Sequence, residues 1–207
     1  MKEQLMSTLF PRPFLTLVGL TFVLSTAQAA PAFSAVEQGN YAVDPNHTQV
    51  VFSVLHLGFT NYTGFFSNAS GTLALDPAQP AESRLSVSIP VGSILTPSTK
   101  LTEELKTSEW FDVAHYPKAE FVSSKITQTG TDTADIEGQF TLHGITQPLI
   151  LHARFIGAGQ NPMNKTYTVG FQATGELKRS AYGIKTYVPM VADKVELSIA
   201  GAFEKAK

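Results

Sequence analysis

The chain has 207 residues, a formal charge of −2, no cysteine, and 43% apolar residues. Mild acidity excludes a nucleic-acid surface, which needs a basic stripe, and docking on anionic lipid by charge alone. Without cysteine there is no disulfide framework, thiol redox chemistry or cysteine-ligated zinc.

Lys2 and Arg12 lead into an apolar run from Phe14 to Leu24, broken only by Thr16, Gly19 and Thr21, and followed by Ala27-Gln28-Ala29. The run is shorter than the roughly 20 residues of a spanning helix. It reads as a cleaved secretory signal over residues 1–29, with one domain over 30–207 in an exported protein. Removing Lys2, Glu3 and Arg12 leaves 13 basic against 16 acidic residues, a charge of −3. Such a domain is held by packing and sheet hydrogen bonds alone.

After the turn signal Asp44-Pro45-Asn46, a strand places Phe52, Val54 and His56 on one face and Val51, Ser53 and Leu55 on the other, since side chains alternate along a pleated strand. A short strand follows at Gly71–Leu75, and Leu85, Val87 and Ile89 then alternate with Ser86 and Ser88. One good helix is expected near Thr99–Thr107, capped by Ser98 or Thr99, with Glu103 and Glu104 in its early turns.

Period two returns at Ala119–Thr127, at Ile136, Phe140 and Leu142, and at Leu149–Phe155, where His152 and Arg154 carry the polar side. Tyr167–Leu177 and Val195–Phe203 complete the pattern. Turn chemistry separates these runs at Asp76-Pro77, Thr129-Gly130, His143-Gly144, Gly157-Ala-Gly159 and Asn161-Pro162. About eight strands with one helix exclude a parallel α/β fold and leave an all-β barrel or sandwich. Glycines inside strands, at positions 64, 71, 138, 170, 175 and 201, suit the bends of a closed antiparallel barrel.

No Gly-x-Ser-x-Gly elbow is present, and Asp44, His47 and Ser53 read as a turn aspartate, a capping histidine and a strand serine rather than a triad. The five histidines lie on separate elements without His-x-His or His-x-x-x-His spacing. A secreted metal protein or hydrolase would have to gather His47 and His56 with His115 or His152 from distant elements. Fourteen Phe, six Tyr and one Trp either fill a solid barrel, leaving an interaction module, or line an elongated cavity for an apolar ligand.

The order of motifs resembles the YceI-like family. Tyr41-x-x-Asp44-Pro45-x-His47-Thr48, Val51-Phe52-x-Val54-x-His56-Leu57-Gly58 and Gly64-x-Phe66 match its start. Ser108-Glu-Trp-Phe111-Asp112-Val-x-x-Tyr116-Pro117-x-Ala-x-Phe121-x-Ser123 matches its centre. Gly138-x-Phe140-Thr-Leu-His-Gly144-Ile-Thr-x-Pro148 and Arg179-Ser180-x-Tyr182-Gly183 complete the set, so the resemblance spans Tyr41 to Glu204. It implies an extended, lipocalin-like antiparallel barrel with a short helix at one mouth, binding long isoprenoid lipids such as polyprenyl chains or quinones in the bacterial periplasm.

The chain departs from the family at Ala181, where an acidic residue is common, and in a helix that lacks Arg-Asp-x-His-Leu character. Both departures fall at the expected polar mouth, so the head group stays open. On this reading no catalytic residue, metal or other cofactor is required. Phe52, Phe66, Trp110, Phe111, Phe121, Phe140 and Phe171 are the expected tail contacts, and Lys100, Arg179, Tyr182 and His56 the candidates for the head group. Arg179 has a second reading, as a charge that stabilises a loop. A homodimer and a transient contact with a membrane or lipid donor are both compatible with such a carrier.

Overall fold

The computed structural model describes residues 32–206; the expected signal segment lies outside them. The alternating runs become ten strands: β1 (Gly39–Val43), β2 (Gln49–His56), β3 (Thr60–Phe66), β4 (Ser70–Leu75), β5 (Arg84–Pro90), β6 (Lys118–Gln128), β7 (Thr133–Leu142), β8 (Ile145–Gln160), β9 (Tyr167–Lys178) and β10 (Val191–Lys205). The α-helix α1 covers Thr99–Leu105. The Ser98 side chain caps it by accepting from the Leu101 N–H at 3.3 Å.

All pairings are antiparallel, and the ring has eight members because four strands are halves of two. β1 and β2 both lie along β10, with Val43 opposite Phe203, Gln49 opposite Ala200 and His56 opposite Val191. β3 pairs with β2 and β4 with β1, so they form the next broken strand. From there β5 to β10 follow as neighbours and β10 returns to β1, closing an eight-membered barrel. Closure removes the exposed edges that an open sheet would have to protect.

The first break is the Asp44-Pro45-Asn46 turn. The Asp44 carboxylate accepts the Asn46 N–H at 2.9 Å and pairs with the His47 ring, while the Thr48 hydroxyl accepts the Ala202 N–H at 3.0 Å. The turn is therefore stitched onto β10 without interrupting the wall.

Near one end β5 leaves the sheet at Pro90, and β3 loses its next neighbour. The segment 91–117 fills this place. Leu95 and Phe65 exchange two backbone hydrogen bonds of 2.9 Å, and behind that bridge come α1 and Trp110-Phe111. The helix thus sits at one mouth of the barrel and completes its side.

Two glycines let aromatic rings lie flat against the wall. Gly64 faces Phe52 across the β2–β3 pair, and a Cβ added there would stand 2.5 Å from the Phe52 ring and 2.8 Å from the Leu95 carbonyl oxygen. At Gly138 a Cβ would meet the Phe121 ring at 2.4 Å and the Val122 oxygen at 2.6 Å. Each ring occupies the space its neighbour's side chain would fill, the arrangement known from aromatic cover of sheet glycines.

Candidate ligand cavity

The inward faces of the strands do not meet at the barrel axis. They enclose one cavity of about 720 Å³ that runs the length of the barrel, inside the ~300–1,000 Å³ range of small-molecule sites. Val195, Leu197, Ile199, Gly201 and Phe203 of β10 line it in alternation, as do Leu85, Val87 and Ile89 of β5 and Leu149, Leu151, Ala153 and Phe155 of β8. From Val191 to Phe203 the β10 wall covers ~40 Å along its tilted strand, at about 3.3 Å per residue.

In β6 the face changes part-way. A bulge between Ser123 and Lys125 shifts the register, so Ala119 and Phe121 line the cavity before it and Ile126 and Gln128 after it. Ser123 is buried at the bulge, its hydroxyl accepting the Leu85 N–H at 2.8 Å.

All seven aromatic residues expected at the tail stand on this one wall: Phe52, Phe66, Trp110, Phe111, Phe121, Phe140 and Phe171. They form contacts among themselves. Phe66 lies 5.7 Å from Phe52 and meets Phe111 edge-on at 5.6 Å, so β2, β3 and the helix segment share one aromatic cluster. Phe171 belongs to a second cluster near the other end, edge-on to Phe155, Phe203 and Phe33. Phe33 comes from a short 3₁₀ turn, Phe33–Ala35, outside every strand. It carries no periodicity, and sequence reasoning passed over it.

The four head-group candidates separate. His56 lines the mouth on the rim of β2, beside Tyr62. Lys100 is exposed and absent from the wall, because α1 turns Ser98, Leu101, Glu104 and Leu105 inward at i, i+3 and i+4 spacing. That spacing was the available signal for Leu101 and Leu105. Tyr182 is fully buried outside the cavity, edge-on to Phe140 at 5.6 Å, and burial raises its phenol pKa.

Arg179 reaches the wall but spends its donors elsewhere. Its Nε donates to the Ala192 carbonyl at 2.9 Å, its Nη1 to Ile184 and Thr186 at 3.2 and 2.8 Å, and its Nη2 to Val191 at 2.7 Å. Burial lowers its pKa, and Asp193 opposes that effect. Four of five donors therefore hold the 184–192 loop, as its loop-stabilising reading requires. Beside it, Asp193 accepts the Ser180 N–H and hydroxyl at 2.8 and 2.7 Å. Among the described residues the buried Trp110 indole N–H has no acceptor.

The histidines do not gather. Nδ1 of His47 pairs with Asp44, Nδ1 of His115 with Asp112 and Nδ1 of His152 with Asp135, while Nδ1 of His143 faces the Tyr182 carbonyl. Among the described residues no group of three His, Asp or Glu side chains is placed to hold a metal ion.

A closed antiparallel barrel with an apolar cavity along its axis and a helix in its wall is a container for an elongated apolar molecule. Residues 41–203 match the YceI-like domain, and the chain belongs to the YceI-like family. It is similar to a UPF0312 protein of Pseudomonas syringae pv. syringae, 35% identical over 167 residues that cover 80% of this chain and 83% of the relative. It is also similar to Protein YceI of Escherichia coli O6:H1, 33% identical over 187 residues, covering 89% and 95% of the two chains.

Among solved structures the fold resembles Burkholderia cenocepacia BcnA, with a TM-score of 0.70 and 24% identity over 77% of this chain and 98% of that one. A polyisoprenoid binding domain from Saccharophagus degradans, implicated in plant cell wall breakdown, superimposes with a TM-score of 0.63 at 14% identity, covering 82% of this chain and all of the other (100%).

Proposed function

We propose that the chain is an exported, non-catalytic carrier of long isoprenoid lipids, polyprenyl chains or isoprenoid quinones, with the tail held in the axial cavity. The observation that carries this reading is a single apolar cavity spanning the barrel from the helix mouth to the Phe33 end. Membership of the YceI-like family and likeness to the polyisoprenoid binding domain support it.

Energetics agree with a tail as the main recognition element. Burying one carbon group contributes about 0.8 kcal/mol, so a five-carbon isoprenyl unit gives roughly 3–4 kcal/mol before costs. Three or four units offset the association cost and leave micromolar binding or better. The wall needs no catalytic group for this. Phe52, Phe66, Phe111 and Phe171, with Trp110, Phe121 and Phe140, are the tail contacts on this reading, and His56 stands nearest the head group. Arg179 acts on the head only through the rim loop that it holds.

Native mass spectrometry of protein purified from its own host is the test. The expected result is a co-purifying species whose extracted mass steps by isoprene units. Protein that stays lipid-free and takes up no polyprenol or quinone on incubation would overturn the proposal. N-terminal sequencing of the exported form should begin after Ala29.

A further inference from the structure

Residues 45–75 and residues 186–192 carry no Asp, Glu, Lys or Arg. The topology joins them at the helix mouth. His56 pairs with Val191, and the Leu57 N–H donates to the Met190 carbonyl at 2.9 Å. The β2–β3 hairpin turns through Leu57 and Gly58 at φ +53° and +75°, which puts Phe59 at its tip, 84% exposed.

The joined segments have two sides. On the inner side His56, Tyr187 and Val191 line the cavity. On the outer side Leu55, Leu57, Pro189 and Met190 border a shallow apolar groove, with Met190 60% exposed. The opposite end of the cavity is different, since Gln128, Thr131 and Asp132 stand there. Among the described residues, the helix-mouth end carries an exposed apolar rim continuous with the lining.

We propose that this rim docks the barrel mouth on the uncharged interfacial zone of a lipid bilayer. The inference rests on the carrier reading above and names where the lipid is exchanged. A charge-free hairpin enters the interface without the cost of desolvating an ion. Exposed Tyr187 is a ring type enriched at that depth, and exposed Phe59 supplies an apolar ring for the boundary with the acyl chains. Because the rim and the lining are continuous, a tail leaving the bilayer passes from one apolar surface to the next without crossing water. A second copy or a protein partner would find no charged group on this patch to fix its register.

The test is co-sedimentation of the full exported protein with phosphatidylcholine vesicles, and with phosphatidylcholine containing phosphatidylglycerol, at low and high salt. Equal binding to both, unchanged by salt, is expected. The double variant Leu57→Asp with Phe59→Asp should bind roughly tenfold less or weaker. Aspartate tolerates the left-handed backbone at 57, and neither side chain lines the cavity, so the variant should keep its lipid in native mass spectrometry.

Wild-type protein that binds neither vesicle, or binds only anionic vesicles at low salt, overturns the docking proposal. So does a dimer in ultracentrifugation that the double variant abolishes, since a second copy would then own the patch. Lipid retained in any of these cases leaves the carrier reading standing; vesicle binding by a protein that never carries lipid defeats the carrier reading alone.

Discussion

The Arg179 guanidinium stands over the Trp110 indole, 5.7 Å from the ring centroid. Trp110 belongs to the segment that completes the barrel wall, and Arg179 holds the 184–192 loop through four bonds to carbonyl oxygens. One charged side chain therefore ties both halves of the mouth together. Arg179→Met would leave those carbonyls without their donors, at a cost of about 2–4 kcal/mol. Arg179→Lys, with three donors and no planar fork, should fall between. Urea denaturation reads the stability, and hydrogen exchange at 184–192 should rise before the strands respond. Release of a bound lipid should quicken in the same order.

The flat-lying rings make a second expectation. Gly64→Ala and Gly138→Ala each push a methyl into a Phe ring and a carbonyl oxygen, and overpacking of this kind costs about 1–3 kcal/mol. The displaced Phe52 or Phe121 ring would also swing into the cavity and weaken tail binding. Gly159→Ala is the control, because a Cβ there meets nothing within 4 Å and should be close to neutral. Thermal melts of the three variants, with lipid content by mass spectrometry, distinguish a wall effect from general loss of stability.

Much of the barrel was legible because period two is a local property. Val195 to Phe203 announces its inward face in the sequence, and that face lines the cavity. Asp44-Pro45-Asn46 likewise announces its turn. What period two cannot show is a bulge, so the change of face in β6 between Ser123 and Lys125 was invisible, and with it the inward aim of Gln128.

Charge misled for a different reason. Lys100 and Arg179 look alike as donors in a sequence, yet one sits off the inward stripe of α1 and the other is consumed by loop carbonyls that only the fold assembles. Tyr182 offers a hydroxyl donor in the sequence, while its ring packs behind Phe140.

Phe33 yields a prediction about chain length. Its ring packs edge-on to Phe155 at 5.4 Å and to Phe171 at 6.4 Å, and it stands on the cavity wall at the end remote from the helix. Phe33→Ala removes a ring there without touching a strand. The variant should accept isoprenoids at least one unit longer than wild type, with a stability loss of about 1–3 kcal/mol for a half-buried ring. Competition among polyprenols of graded length, read by native mass spectrometry, checks this. An unchanged length preference would place the end stop elsewhere.

Acid sensitivity follows from Asp44 and Asp193. Burial raises the pKa of each carboxyl, but hydrogen bonds and nearby positive charge outweigh it: for Asp44 the hydrogen bonds of the His47 ring and the Asn46 and His47 amides, and for Asp193 those of the Ser180 amide and hydroxyl together with the charges of Arg179 and Lys178. Both folded values therefore lie below the ordinary carboxylate value. The stabilisation is fully present above the unfolded pKa of about 4 and is lost as pH falls through the lower folded values.

Wild type should accordingly hold its melting temperature down to about pH 5 and lose it steeply below pH 4. Asp44→Asn and Asp193→Asn should each melt lower at neutral pH and show a shallower acid limb, because the group that must be protonated is gone. For Asp193→Asn the loss should also appear as faster exchange in the 179–193 rim, since Asp193 anchors Ser180 beside the arginine that holds the loop. For Asp44→Asn the faster exchange should instead centre on the break between β1 and β2. Melting curves across that pH range, with exchange mapped by peptide, separate the two contributions.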